Sequence, residues 1–590
     1  MNKAILTGNE AISRGFWEAG GLIASSYPGS PTVSILESMK TYDEIYAEWA
    51  TNEKVAMEVA MGGSIAGARS LVSMKHVGIN IASDPFMTFT QIRTKGGFLL
   101  VVGDDPGLTS SQNEQDSRFW GKFANIPILD PSSPQEVKDY IKDGIKISEE
   151  FNTPVLIRLT SRLCHSRAVV ELEEREEVSS EGFIPDQSRY CMLPPYANAA
   201  QYFMKERMEK LKAFNNNNSK NTLEINNSKA LVITSSLCYA NLKEINAPVD
   251  ILKLAMVWPL PIEYIESISD KYEKILILEE TLGFIEEELK INNIAVEGKK
   301  YFPFTGELSI DAIKVGLKEA GIIDFTAKNI DAEKVPLRTP MLCSGCPHRP
   351  IFHILKMAKA TVMGDIGCYS LGILEPFEVH KTNISMGASL GMVLGVAKAH
   401  KKLGIKKPMV ATIGDGTFFH SGMTGFLQLV GCKENITVIV MDNRTTAMTG
   451  GQITPTTSEY FKHIDSNAVS IAGVLKSFGI EDITVVDQFK YKETKETILN
   501  AMKREGLSVV ITTRPCAINF KVKEPHFYVD ENICISCRNC IRTNCPPISM
   551  QQYEGKEKKN SYIDPDMCVG CSVCSQVCPV GAIKRSTTTD

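Results

Sequence analysis

Short apolar runs alternate with helical lengths of mixed polarity along most of this chain, and the length of those runs points to its fold class. In the first segment residues 98–102 and 154–159 read as strands set between helices, the pattern of an α/β layer fold. Polarity then rises through the charged stretch 171–181 into an Asn-rich tract, Asn215 to Asn218. This tract has too little apolar surface to order itself, so 206–228 reads as a linker, helical and then flexible. Three strand-like runs follow at 230–234, 249–254 and 274–278, spaced by helical lengths as in a small parallel-sheet domain. A third α/β segment carries strands at 408–413, 436–441 and 508–512. The expected domains are 1–205, 229–335, 336–520 and a cysteine-rich 525–590. No apolar run has the length of a membrane-spanning helix.

Composition removes several function classes. The 590 residues are 43% apolar and 23% charged, with a net charge of −5 and a pI near 6.1. Neither nucleic acid nor an anionic membrane is expected as a partner. The N-terminus has no apolar core of signal-peptide length and carries Glu10 and Arg14 early, so a cytoplasmic protein is expected. Sixteen cysteines would be unusual as bridges in a reducing compartment, which favours working thiols.

Half of those thiols lie in two runs near the C-terminus, Cys534-x2-Cys537-x2-Cys540-x4-Cys545-Pro and Cys568-x2-Cys571-x2-Cys574-x3-Cys578-Pro. Triplets at this spacing suit two 4Fe-4S clusters, the fourth Cys of each run crossing to the other run's cluster. One cluster then takes Cys534, Cys537, Cys540 and Cys578, and the other Cys568, Cys571, Cys574 and Cys545. A disulfide framework or zinc knuckles are the competing readings, but zinc sites pair two CxxC units rather than triplets. The first run departs from the bacterial pattern by one extra residue before Cys545.

In the third segment a predicted strand runs into Gly414-Asp415-Gly416, and a second ends at Asn443. A parallel sheet would bring Asp415 and Asn443 together at strand carboxyl ends, where open α/β sheets bind ligands. The glycines admit a diphosphate close to the backbone, and the two side chains offer hard oxygen ligands to Mg2+. A bare GDG turn is a weak signal, but the downstream Asn stands at the spacing of the thiamine diphosphate motif, which implies the Thr445 carbonyl as a further ligand. Thiamine enzymes also need a carboxylate against the aminopyrimidine, in a second domain. The stretch from Thr51 to Ala56 followed by the small-residue helix Met61 to Arg69 resembles the segment that bears it, which makes Glu53 the candidate. A solvated carboxylate at a helix start is the alternative for Glu53.

With these motifs on one chain, the sequence resembles the 2-oxoacid:ferredoxin oxidoreductases, and within them the large (alpha) subunits of the indolepyruvate branch. The stretches that carry the likeness are Tyr27-Pro-Gly-Ser-Pro31, Lys75-His-Val-Gly78, Gly103-Asp-Asp-Pro-Gly107, Ser110 to Ser117, Cys343-Ser-Gly-Cys-Pro-His-Arg349 and Asp365-Ile-Gly-Cys-Tyr369. The resemblance implies a multi-domain thiamine diphosphate-binding fold: pyrimidine and diphosphate domains, a transketolase C-terminal-like domain and a twin 4Fe-4S ferredoxin-like module. It implies oxidative decarboxylation of an arylpyruvate with CoA as co-substrate, a soluble ferredoxin as acceptor, and a small beta subunit in an alpha/beta assembly. It further implies a hydroxyl from Ser30 near the substrate, with a plain turn residue as the other reading, and roles for His76, His348 and His420, each otherwise a packed or surface histidine. A third cluster on Cys343, Cys346, Cys368 and Cys516 follows from the wider family, with zinc or structural cysteines as alternatives. Cys164, Cys191, Cys238 and Cys432 are expected in the core. An oxidoreductase for another 2-oxoacid, branched-chain or similar, a non-oxidative thiamine decarboxylase and an electron-transfer adaptor are the rival functions.

Overall fold

A computed structural model of the protein describes residues 2–326, 339–457 and 468–587. The chain forms two compact units, Met1–Ala332 and Glu333–Asp590; the boundary expected at 335/336 lies outside the described residues. In the first unit a seven-stranded sheet runs in the order Met256–Trp258, Ile128–Leu129, Val155–Thr160, Phe98–Asp104, Ser70–Lys75, Ile23–Ser26, Tyr46–Trp49. Only the Met256–Trp258 edge is antiparallel. Alternate residues of the central strands serve opposite faces, as the period of two requires. Leu71, Leu99 and Val101 pack with helices Gly8–Glu18 and Pro134–Phe151, while Val72, Leu100 and Val102 pack with Glu53–Ile65 and His76–Phe89.

The small sheet of this unit has three parallel strands where the hydrophobic runs predict them, Lys274–Leu278, Ala230–Thr234 and Asp250–Lys253. A fourth strand, Thr222–Glu224, pairs antiparallel on its edge and lies inside the expected linker. The helix Tyr196–Asn216 continues into an ordered knot. Asn215 is buried and donates to the Met256 and Pro259 carbonyls at 3.0 and 2.7 Å, Asn221 donates to Asn215 Oδ1 at 3.0 Å, and Ala255 N donates back to Asn221 at 2.8 Å. The tract is therefore not a flexible connection. Asparagine amides can order a polar segment by satisfying the backbone of another loop, which an apolar pattern does not register.

Charge joins the two sheets. Arg158 donates to Asp104 at 2.7 Å and lies 3.4 Å from Asp130, which accepts from Ser235 at 2.7 Å; Arg118 bonds Asp116 at 2.5 Å and Glu279 at 2.6 Å. All of these groups are buried. One hydrophobic core also spans both sheets, with Phe98 and Leu100 beside Leu231, Ile233 and Phe284. The boundary read at 228/229 is thus internal to one packed unit. Among the four cysteines expected in the core, Cys164 and Cys238 are buried and Cys432 is partly so, but Cys191 is exposed, where it follows a surface turn.

The second unit holds a six-stranded parallel sheet in the order His380–Thr382, Val362–Met363, Met409–Gly414, Ile436–Asp442, Leu507–Thr513, Ile483–Val486. Behind it come two antiparallel ribbons, Phe527–Val529 with Ile583–Arg585 and Ile548–Gln551 with Asn560–Ile563. Val573 of the cysteine-rich module packs in the same core as Cys346, Tyr369, Val410 and Tyr491. Among the described residues no helix is long and apolar enough to cross a membrane.

Candidate functional site

The central strand Met409–Gly414 is buried throughout and ends in the turn Asp415–Thr417. Close packing dictates both glycines. A Cβ at 414 would stand 2.6 Å from the Tyr369 ring, and one at 416 would stand 2.9 Å from Thr446 Oγ1. The neighbouring strand Ile436–Asp442 delivers Asn443 beside Asp415, as the parallel register requires. Asn443 Oδ1 lies 2.9 Å from Asp415 Oδ1 and 2.8 Å from the Thr445 carbonyl oxygen. Three acceptors in that array repel one another unless the amide turns its NH2 toward both or a cation lies among them. The Thr445 amide, 3.4 Å away, donates to the same Asn443 oxygen and would confront a turned NH2. Octahedral Mg2+ with bonds of about 2.1 Å spaces adjacent ligands by about 3 Å, close to the spacings found, so these residues fit such an ion.

The surroundings reinforce that reading. Asp415 is 1% exposed, and its other oxygen accepts from Thr454 at 2.8 Å and Thr456 at 3.3 Å. Burial, and then the neighbouring Asp442, push the Asp415 carboxyl up to about 7, a cost that a bound divalent cation reverses. Asp365 accepts from the amides of Ile366, Gly387 and Ser389 at 2.8–3.0 Å, tying its loop to the start of helix Ala388–Lys402. Thr454, Thr456 and this role of Asp365 carry no sequence signal, because hydroxyls and short loops are common everywhere.

Thiols gather around the same loops. Cys516 N donates to the Asn443 carbonyl at 3.0 Å, so one thiol-bearing residue is hydrogen-bonded to the oxygen cluster's backbone. The Cys368 thiol is pushed up to about 11 by burial and then by Cys516 and Cys343, and Cys346 to about 12 by burial, with Cys368 and Cys343 adding to it. Electrostatic influence thus links Cys343, Cys346 and Cys516 to Cys368. Of the two cavities in the cysteine-rich module, one is lined by Cys534, Cys537, Cys540 and Cys578, the other by Cys545, Cys568, Cys571 and Cys574. Among the described residues no three His, Cys, Asp or Glu side chains close on a point suited to one metal ion. The eight thiols of the module line these two cavities, and Cys346 joins the second.

In the first unit Glu53 opens the helix Glu53–Ile65, capped by Asn52, which accepts from Val55 N at 2.9 Å. It is only 7% exposed, so it is not a solvated helix-start carboxylate. Gly78 makes room for it: a Cβ there would stand 2.8 Å from Glu53 Cγ and 3.1 Å from Oε1. His76 is fully buried, with Nε2 3.1 Å from the Asn113 carbonyl and Nδ1 3.4 Å from that of Gly103. Its ring thus contacts the backbone at both ends of the 103–113 segment. Lys75 donates to the Ser110 carbonyl at 2.7 Å and fixes the same loop. Ser30 is half-buried, next to Pro31, which packs on Gly103. In the second unit His348 is buried edge-on to Tyr369 and pushed down to about 4 by burial, and His420 pairs with Ser421 at 2.6 Å.

Three family models match. Residues 15–226 match the thiamine diphosphate-binding part of pyruvate flavodoxin/ferredoxin oxidoreductase, 365–512 the C-terminal TPP-binding domain of thiamine pyrophosphate enzymes, and 528–585 a 4Fe-4S dicluster domain. The chain is 38% identical over 99% of its length, and 97% of the relative's, to indolepyruvate oxidoreductase subunit IorA of Pyrococcus horikoshii. It is 35% identical, at the same coverages, to the protein of that name from Archaeoglobus fulgidus. The chain belongs to the 2-oxoacid:ferredoxin oxidoreductases, in the indolepyruvate branch. A solved 2-oxoglutarate:ferredoxin oxidoreductase from Magnetococcus marinus superposes with a TM-score of 0.44 at 14% identity, covering 54% of this chain and 65% of that one.

As a 2-oxoacid:ferredoxin oxidoreductase chain, this protein is an oxidoreductase that uses thiamine diphosphate and 4Fe-4S clusters. The packing of Gly78 against Glu53 gives a direct test of the pyrimidine half. Gly78→Ala is expected to displace the carboxylate by a few tenths of an ångström or more and to lower turnover by up to about 100-fold. Iron content and absorbance should stay as in the parent, which separates the effect from misfolding.

Proposed function

We propose that this chain is the large subunit of an enzyme that oxidatively decarboxylates arylpyruvates, indolepyruvate foremost, with CoA. The products are an aryl-acetyl-CoA and CO2, and the electrons pass to a soluble ferredoxin. The observation that carries the substrate class is likeness along nearly the whole chain to proteins named for indolepyruvate. Thiamine diphosphate, when bound, supplies the carbon nucleophile and electron sink for loss of CO2. Asp415, the Asn443 oxygen and the Thr445 carbonyl hold Mg2+ and through it the diphosphate, while Gly414 and Gly416 let the backbone approach. Glu53 holds and returns the proton on the aminopyrimidine ring from a buried position, which suits general acid/base work. Ser30 offers a hydroxyl to the 2-oxoacid. His76 keeps the neighbouring loop in place.

The eight thiols of the tail hold two one-electron carriers, with ligand sets as the two cavities group them, and Cys343, Cys346, Cys368 and Cys516 hold a third beside the Mg2+ loop. The relatives are each named as a subunit, which supports a small beta partner and an alpha/beta heterodimer or larger assembly in the cytoplasm. The test is to purify the chain with that partner and follow ferredoxin or viologen reduction with CoA on indolepyruvate, phenylpyruvate, pyruvate and 2-oxoglutarate. Aryl substrates should lead in kcat/KM by at least about tenfold, the worth of about 1.4 kcal/mol. A lead for pyruvate or 2-oxoglutarate would overturn the substrate assignment. Release of CO2 with no bleaching of the cluster absorbance would favour a non-oxidative decarboxylase.

A further inference from the structure

Arg349 is a buried cation set against thiols. It is 3% exposed, and its Nε donates to the Cys343 carbonyl at 2.9 Å. Nη1 donates to the carbonyls of Thr543, at 3.3 Å, and Asn544, the two residues before Cys545. Nη2 is buried and has no acceptor among the described residues. The side chain helps line the cavity of Cys545, Cys568, Cys571 and Cys574. Burial works against its charge and holds its pKa below the usual guanidinium range, while Cys545, then Cys346, Cys343 and Cys571, favour the charge. The loop that carries it packs closely on the module: Gly345 has φ +64°, and a Cβ there would stand 2.1 Å from Val569 Cγ2. The sister cavity is lined by Cys534, Cys537, Cys540, Cys578 and otherwise Ser561 and apolar residues, with no cation among its described lining residues.

We propose that Arg349 raises the reduction potential of the cluster held by Cys545, Cys568, Cys571 and Cys574, making it the better electron acceptor of the two in the module. This rests on the proposed function only in requiring that the module hold its clusters. One-electron reduction makes a cluster more negative by one charge, with no bond made or broken and no proton moved. A guanidinium in a low-dielectric wall stabilises the reduced form more than the oxidised one, and the Nη2–H groups would be available to donate to a bound cluster. Arg349 acts here as a positioning residue on the electron route and touches no substrate.

The full chain with its small partner would be titrated anaerobically with dithionite, without substrate, and followed by electron paramagnetic resonance. Arg349→Met should keep full iron while one of the module's two reduction equilibria falls at least about tenfold, equivalent to about 59 mV for one electron, and the other stays put. Arg349→Lys, which keeps a cation, should lie between Arg349→Met and the parent. Unchanged potentials in a fully loaded Arg349→Met protein would overturn the proposal. So would loss of that cluster's iron in both variants, since the side chain would then build the site rather than tune it. Because no 2-oxoacid enters the titration, an error in the substrate assignment leaves this result intact.

Discussion

Asp415→Ala should leave the chain without thiamine diphosphate while its iron and cluster absorbance persist. Asp415 is the one carboxylate in the oxygen array, with Asn443 Oδ1 at 2.9 Å and the Thr445 carbonyl beyond it. Two neutral oxygens hold a hard dication poorly without it. Second-layer partners of a metal typically cost 10–100-fold in affinity, so removal of a direct ligand is expected to exceed about 100-fold. Thiamine released on denaturation, assayed by fluorescence, should fall to background, and viologen reduction with it. Excess Mg2+ and cofactor should restore little. Full thiamine content in the variant would place the diphosphate elsewhere.

Glu53→Gln should do the reverse, keeping both cofactors and losing the chemistry. The substitution preserves size at a site where Gly78 already leaves no spare room, so the fold and the bound coenzyme should survive. What disappears is a group able to take and return a proton, worth typically about 10²–10⁴-fold. Turnover should drop by that factor at unchanged thiamine and iron content, and arylpyruvate should no longer bleach the clusters while dithionite still does. If Glu53→Gln turned over at the parent rate, the carboxylate would have only a structural part, and its acid/base role would fall.

The sites differ in how far they could be read before folding. The cysteine triplets are legible because a short loop forces neighbouring thiols together whatever surrounds it, and the cavities group Cys578 with the first triplet and Cys545 with the second. Asp415 and Asn443 are legible because a parallel sheet fixes what sits at adjacent strand ends. The Asn-rich tract was misread for the complementary reason. Its order comes from Met256, Pro259 and Ala255, residues distant in sequence. His76 resisted reading likewise, since only packing shows both ring nitrogens turned to carbonyls.

From its order of residues alone this chain determined the parallel α/β architecture, the two cluster ligand runs and the diphosphate turn, all products of spacing over a few residues or of strand periodicity. Tertiary structure alone decided that Cys516 is hydrogen-bonded to the Asn443 loop, that Gly78 yields its volume to Glu53, and that Arg349 lines the cavity of Cys545, Cys568, Cys571 and Cys574. Those are distances between segments far apart in the chain. They follow from how sheets and loops pack, and no local pattern of polarity encodes them.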